Sequence, residues 1–147
     1  MTPSDEDIRR SASGFRDAID RAGVGPWRAK NIEFPRGACG HAAELLAYYL
    51  RQRFGVAPLL VCQDAADLGG WHGGHAWLEW NGLTIDISGD QFGWAPVIVT
   101  RNPEFHGQGV DQNRGPALSD MRWWALECGS LWKAIAPLLP IQPDGER

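Results

Sequence analysis

At 147 residues the chain has the length of one domain with a core of its own. Apolar residues make up 44% and charged residues 22%, a globular balance that excludes a disordered chain, and a net charge of −4 with scattered arginines argues against a nucleic-acid partner. No apolar run approaches the roughly 20 residues that cross a bilayer, and Met1–Asp7 is acidic where a secretory signal would be basic, so the expectation is no membrane partner and a cytoplasmic location.

In chain order, Ser4 with Asp7 resembles a capping box, and Ile8, Ala12, Phe15 and Ile19 recur at helical spacing. These predict an amphipathic helix from about Asp5 to Ala22, closed by Gly23 and Gly25. Trp27 to Pro35 reads as irregular. From Cys39 to Arg53 the residues Ala42, Ala43, Leu45, Leu46, Tyr49 and Leu50 form a broad apolar face, which predicts a buried central helix with Cys39 in its first turn and Gly55 as its C-cap. Pro58–Gln63 reads as a short buried strand, and a glycine-rich loop around Trp71 and His72 follows it, placed to act as a lid. Asn81-Gly82 between two alternating runs predicts a hairpin of His75–Trp80 with Leu83–Ser88. Pro96–Thr100 supplies another strand, and Ser119 caps a last helix from Asp120 to about Ala136. Helices segregated from consecutive strands predict an α+β fold, N-terminal helices packed on an antiparallel sheet with a C-terminal helix after it. Residues 1–140 then form one domain, with a flexible tail over 141–147.

A two-residue turn fixes the hairpin register. Trp80 faces Leu83, Glu79 faces Thr84, Trp77 faces Asp86 and His75 faces Ser88. Alternation then puts Ala76, Leu78, Trp80, Leu83, Ile85 and Ile87 on a core face, and His75, Trp77, Glu79, Thr84, Asp86 and Ser88 on a polar one. On that polar face Asp86 lies diagonal to His75, about 7–8 Å away between backbones, within reach of a side-chain hydrogen bond. A carboxylate on one imidazole nitrogen leaves the other free to act as a base. The first turn of a helix favours thiolate over thiol at Cys39, and its free N–H groups suit an oxyanion. The three cysteines are odd in number and widely spaced, so free thiols are expected, with Cys62 and Cys128 as packing.

The segments Phe34-Pro35-Arg36-Gly37-Ala38-Cys39-Gly40-His41-Ala42-Ala43-Glu44, Gly74-His75-Ala76-Trp77-Leu78-Glu79 and Leu83-Thr84-Ile85-Asp86-Ile87-Ser88-Gly89-Asp90-Gln91-Phe92 resemble bacterial transglutaminase-like and papain-like cysteine proteins, and the lasso-peptide leader peptidases are similar in their helix cysteine and His-Ala-Trp strand. The resemblance runs from Phe34 to His106. It implies a papain-like or transglutaminase-like core in which Cys39 is the nucleophile, His75 the base and then the acid, and Asp86 the orienting group, with no cofactor. The substrate it implies is an amide bond of a peptide or protein, cleaved through a thioester by a peptidase or deamidase; transfer to an amine is the variant. Papain-type enzymes carry a glutamine shortly before the cysteine. Here that stretch offers Asn31 and Trp27 as oxyanion or substrate-lining candidates, joined by Trp71, Trp77, Asp90 and Gln91, with Asp90 also the competitor of Asp86 for the acid. His106 reads as a loop residue. Two other classes remain: a non-catalytic binding module on the same fold, and a zinc protein using Cys39, His41, His72 and His75. Against zinc, residues two apart on a helix diverge by about 200°.

Overall fold

A computed structural model describes residues 2–63, 74–106 and 112–140. Among the described residues, four α-helices pack with a five-stranded antiparallel sheet in a mixed α+β arrangement. Helix α1 spans Asp5–Ala22 and opens with the expected capping box, Ser4 Oγ accepting from the Asp7 N–H and Asp7 from the Ser4 N–H. Its stripe of Ile8, Ala12, Phe15 and Ile19 is buried. One helical turn, α2 (Gly25–Arg28), follows it and runs into the stretch from Trp27 expected to be irregular, with Pro26 in the first turn, where a missing N–H costs nothing.

Helix α3 spans Cys39–Phe54 and ends on Gly55 in the left-handed region (φ 71°). Ala42, Leu45, Leu46, Ala47 and Leu50 are each fully enclosed, so α3 is the central element. Burial of each leucine contributes roughly 1.5–3 kcal/mol. The sheet runs β4–β3–β2–β1–β5, where β1 is Leu59–Gln63, β2 His75–Trp80, β3 Leu83–Asp86, β4 Ile98–Thr100 and β5 Gln112–Pro116. One face of it, with Leu78, Leu83, Ile85, Ile87 and Val99, joins α1, α3 and α4 (Met121–Ile135) in a single core. Helix α4 starts one residue later than expected. Asp120, not Ser119, is the cap, its carboxylate accepting from the Trp123 N–H. Strand β5 had no counterpart in the sequence reading because Gln-Asn-Arg-Gly-Pro has no apolar alternation; as an edge strand it needs none.

The hairpin has the predicted register at its turn, with Trp80↔Leu83, Glu79↔Thr84 and Leu78↔Ile85 paired. Asn81 (φ 52°) and Gly82 (φ 78°) both occupy the left-handed region that a type I′ turn demands. The expected pairs Trp77–Asp86 and His75–Ser88 do not form. Asp86 Oδ1 instead accepts from the Ser88 N–H at 2.8 Å, a local turn that draws β3 away from β2. No described helix is long and apolar enough to cross a membrane. The glycine-rich loop with Trp71 and His72, and the tail over 141–147, lie outside the described residues.

Candidate active site

The chain reaches Cys39 through turns over residues 34–37, with Gly37 at φ 67°, where side-chain-bearing residues are strained. Helix α3 begins at once, and its first intrahelical bond runs from the Ala42 N–H to the Ala38 carbonyl at 2.8 Å. The N–H groups of Cys39, Gly40 and His41 precede that bond and have no partner inside the helix. The splayed end of the β2–β3 hairpin faces this terminus, so Cys39, Ala76, Trp77, Asp86, Ile87 and Ser88 line one small recess. Cys39 is half-buried, while His75 (2% exposed) and Asp86 (1%) are enclosed.

His75 Nε2 donates to Asp86 Oδ2 at 2.7 Å. That leaves Nδ1 for the sulfur. Nδ1 also lies 3.2 Å from the side-chain amide of Gln91, a residue of the 3-10 turn Gly89–Phe92. A half-turn of an amide exchanges donor and acceptor, so the same side chain suits either protonation state of the ring. Burial alone would raise the Cys39 thiol, but its hydrogen bond to His75, the charge of that ring, the Ala76 N–H and the Gln91 amide together hold it below the ordinary range. Burial likewise opposes charge on His75, yet its bonds to Asp86 and Cys39 raise it to about 9. Asp86 is held well below the ordinary carboxylate range: two imidazoles outweigh its burial. The arrangement therefore favours thiolate beside imidazolium.

The second imidazole is His106, which sequence reading left as a loop residue. Its Nε2 also donates to Asp86 Oδ2 at 2.7 Å, and its side chain is buried. The hairpin face expected to be polar is thus covered. Trp77 packs edge-on against His106, and Phe92 and Trp94 pack edge-on against His75. Trp77 on that face was the available signal, because a tryptophan there requires a cover. The Nδ1 of His106 is buried without a partner among the described residues. Replacing His106 with leucine removes one hydrogen bond to a buried charge, and the expected loss is about 1.5–3 kcal/mol of stability, read from the shift in denaturant midpoint.

The other candidates separate cleanly. Asp90 forms a two-pronged ion pair with Arg16 (2.7 and 2.8 Å), which pins the 3-10 turn carrying Gln91 onto α1. It therefore competes poorly with Asp86 for His75. Trp27 is a core residue tilted against Phe34, and Asn31 sits exposed in a left-handed turn; no hydrogen bond joins either to Cys39 or His75. Trp71 lies outside the described residues. Of the zinc set, His41 turns away to Glu127 at 3.1 Å, and His72 also lies outside them. Among the described residues the group able to hold a metal ion is a different one, His75, Asp86 and His106, whose ligand atoms lie within 4.8 Å of one another. Zinc needs its ligands roughly 2.0–2.2 Å from the ion, so the two 2.7 Å contacts would have to open to admit it. Cys62, expected to be packing, is exposed, and Cys128 is buried, its thiol pushed up to about 12 first by burial and then by nearby carboxylates.

No protein-family model, curated protein or solved structure matches the chain.

Proposed function

We propose that this chain is a cysteine-dependent acyl-transfer enzyme with Cys39 as nucleophile, His75 as acid and base and Asp86 as the orienting acid, built on a papain-like or transglutaminase-like core. The observation that carries this reading is the convergence of a helix-first-turn thiol with a buried imidazole whose far nitrogen is held at 2.7 Å by a carboxylate. The Cys39 thiolate attacks an amide carbonyl carbon. The carbon–oxygen double bond opens to an oxyanion, to which the N–H groups at the start of α3, free of intrahelical partners, and the Gln91 amide would donate. On collapse the carbon–nitrogen bond breaks, and the His75 imidazolium gives its proton to the leaving amine, leaving a thioester. Water, deprotonated by the now neutral imidazole, attacks the thioester and releases the carboxylic acid, restoring the thiolate and the imidazolium. Hydrolysis of a peptide or protein amide is the simplest outcome; an amine in place of water gives transfer.

The test uses an activated acetyl ester and intact-mass spectrometry. The expected result is one acetyl group on Cys39 followed by steady turnover. In His75→Ala the acylated protein should persist, because nothing activates the water. Acylation spread equally over Cys39 and Cys62 with no turnover would rule out the enzyme and leave a binding module on the same fold.

A further inference from the structure

A second concavity opens one residue along the helix from the nucleophile. It is a cleft of about 280 Å3 walled by Gly40, Glu44, Leu60, Ser119, Asp120 and Trp123. Sites for drug-sized ligands run to roughly 300–1,000 Å3, so this one suits a single side chain. Glu44 lies one helical turn after Gly40 and about 7.5 Å along the axis from Cys39. Cys62 lies opposite Ala76, whose N–H meets the Cys39 sulfur, and Leu60, in the cleft wall, shares the face of β1 that carries Cys62, two residues along.

The chemistry of its wall is unbalanced. Glu44 is only 8% exposed, and one carboxylate oxygen accepts from the Leu118 N–H at 2.9 Å. Among the described residues, its other oxygen has no hydrogen-bond partner and no cation pairs with it. Burial accordingly raises its pKa, countered in part by the Leu118 bond. Its charge also acts on Cys128 behind it. Asp120 brings a second carboxylate to the rim, one oxygen of which caps α4. Trp123, 38% exposed, offers an indole beside both. A buried carboxylate without a counter-ion is costly in an apo protein, and a cation arriving with the ligand removes that cost. Two basic groups on this side are occupied: Lys30 with the Leu126 carbonyl (3.4 Å) and the charge of Glu127, and His41, whose ring packs against Trp123, with the Glu127 carboxylate (3.1 Å).

We propose that this cleft is a specificity subsite for a cationic side chain of the substrate, a lysine or an arginine, with Glu44 and Asp120 meeting the charge and Trp123 and Leu60 flanking the aliphatic stem. The proposal rests on Cys39 being the nucleophile. It assigns the enzyme basic peptides as its substrate class.

The probes are chloroacetamides carrying an ammonium on tethers of increasing length, each paired with an uncharged isostere. Thiolate displaces chloride, so the alkylation rate at Cys39 reads recognition without knowledge of the natural substrate or of which side of the scissile bond the cation occupies. At one tether length the cationic probe should react about tenfold faster than its isostere. In Glu44→Gln, which still accepts from the Leu118 N–H, and in Asp120→Asn, which still caps α4, the ratio should fall to near unity. In Asp17→Asn, which removes an equal charge from the exposed side of α1, it should stay unchanged. A ratio near unity at every tether length, or a preference that survives Glu44→Gln, would overturn the subsite. Iodoacetamide, which has no cation, separates the two levels. Rapid Cys39 labelling by iodoacetamide without cation preference contradicts the subsite alone, whereas sluggish labelling contradicts the nucleophile and the subsite with it.

Discussion

Near pH 6, iodoacetamide is expected to alkylate Cys39 roughly tenfold faster than an unassisted thiol, and His75→Ala is expected to abolish the excess. An ordinary thiol holds only about 0.3% of its sulfur as thiolate at that pH, given a pKa near 8.5. The bond to His75, the Ala76 N–H and the Gln91 amide all favour the thiolate of Cys39. Its lower basicity makes each thiolate a weaker nucleophile, which offsets part of the gain in thiolate fraction. Acyl transfer adds a second condition, since the imidazolium must survive to protonate the leaving group. His75 is raised to about 9, so acyl-transfer rates should rise as Cys39 ionises, below the ordinary thiol range, and fall as pH passes about 9. Alkylation, which needs no acid, should not fall there. Cys128, raised to about 12 and buried, should label slowest of the three cysteines.

Asp86→Asn is expected to lower acyl transfer by about three to four orders of magnitude while Cys39 stays in place. Both imidazole Nε2 atoms donate to one oxygen at 2.7 Å and the Ser88 N–H to the other, so an amide sets its NH2 group against either the imidazoles or Ser88, and without the carboxylate charge His75 loses the partner that leaves Nδ1 for the sulfur. The same change should cost stability, about 3 kcal/mol, because a buried charge network loses its centre. The pH dependence of unfolding distinguishes the two effects. In the wild type, the depressed Asp86 contributes stability that is present above the ordinary 3.8 and lost as pH falls through its lower folded value. The raised His75 contributes stability that is fully present below 6.5 and lost as pH rises through about 9. Both contributions are complete between about pH 4 and 6.5, and in Asp86→Asn the acid-side loss should disappear and the alkaline-side loss should weaken.

The parts of the site that were legible in the sequence are those set by local rules. Asn81-Gly82 fixed the hairpin register and so the proximity of His75 and Asp86; small residues and the apolar face after Ala38 placed Cys39 at the start of a helix. What local rules miss is the cover over the hairpin. His106 is 20 residues beyond Asp86 in a segment with no periodicity, and its approach depends on the aromatic packing of Trp77, Phe92 and Trp94, which arises only on folding. Gln91 was legible only as one of six lining candidates for the same reason, because its position depends on the Arg16–Asp90 ion pair between α1 and the 3-10 turn. Strand β5 is polar along its length and gains its place from pairing with β1 alone.

Everything proposed for the chemistry depends on a sulfur anion beside a protonated imidazole. The most direct measurement is the ultraviolet absorbance of thiolate, followed from acidic to alkaline pH as the difference between the wild type and Cys39→Ser. The account predicts a Cys39 signal that develops below the ordinary thiol range and is displaced toward that range in His75→Ala. A Cys39 signal that develops only above about pH 8, unmoved by His75→Ala, would contradict it.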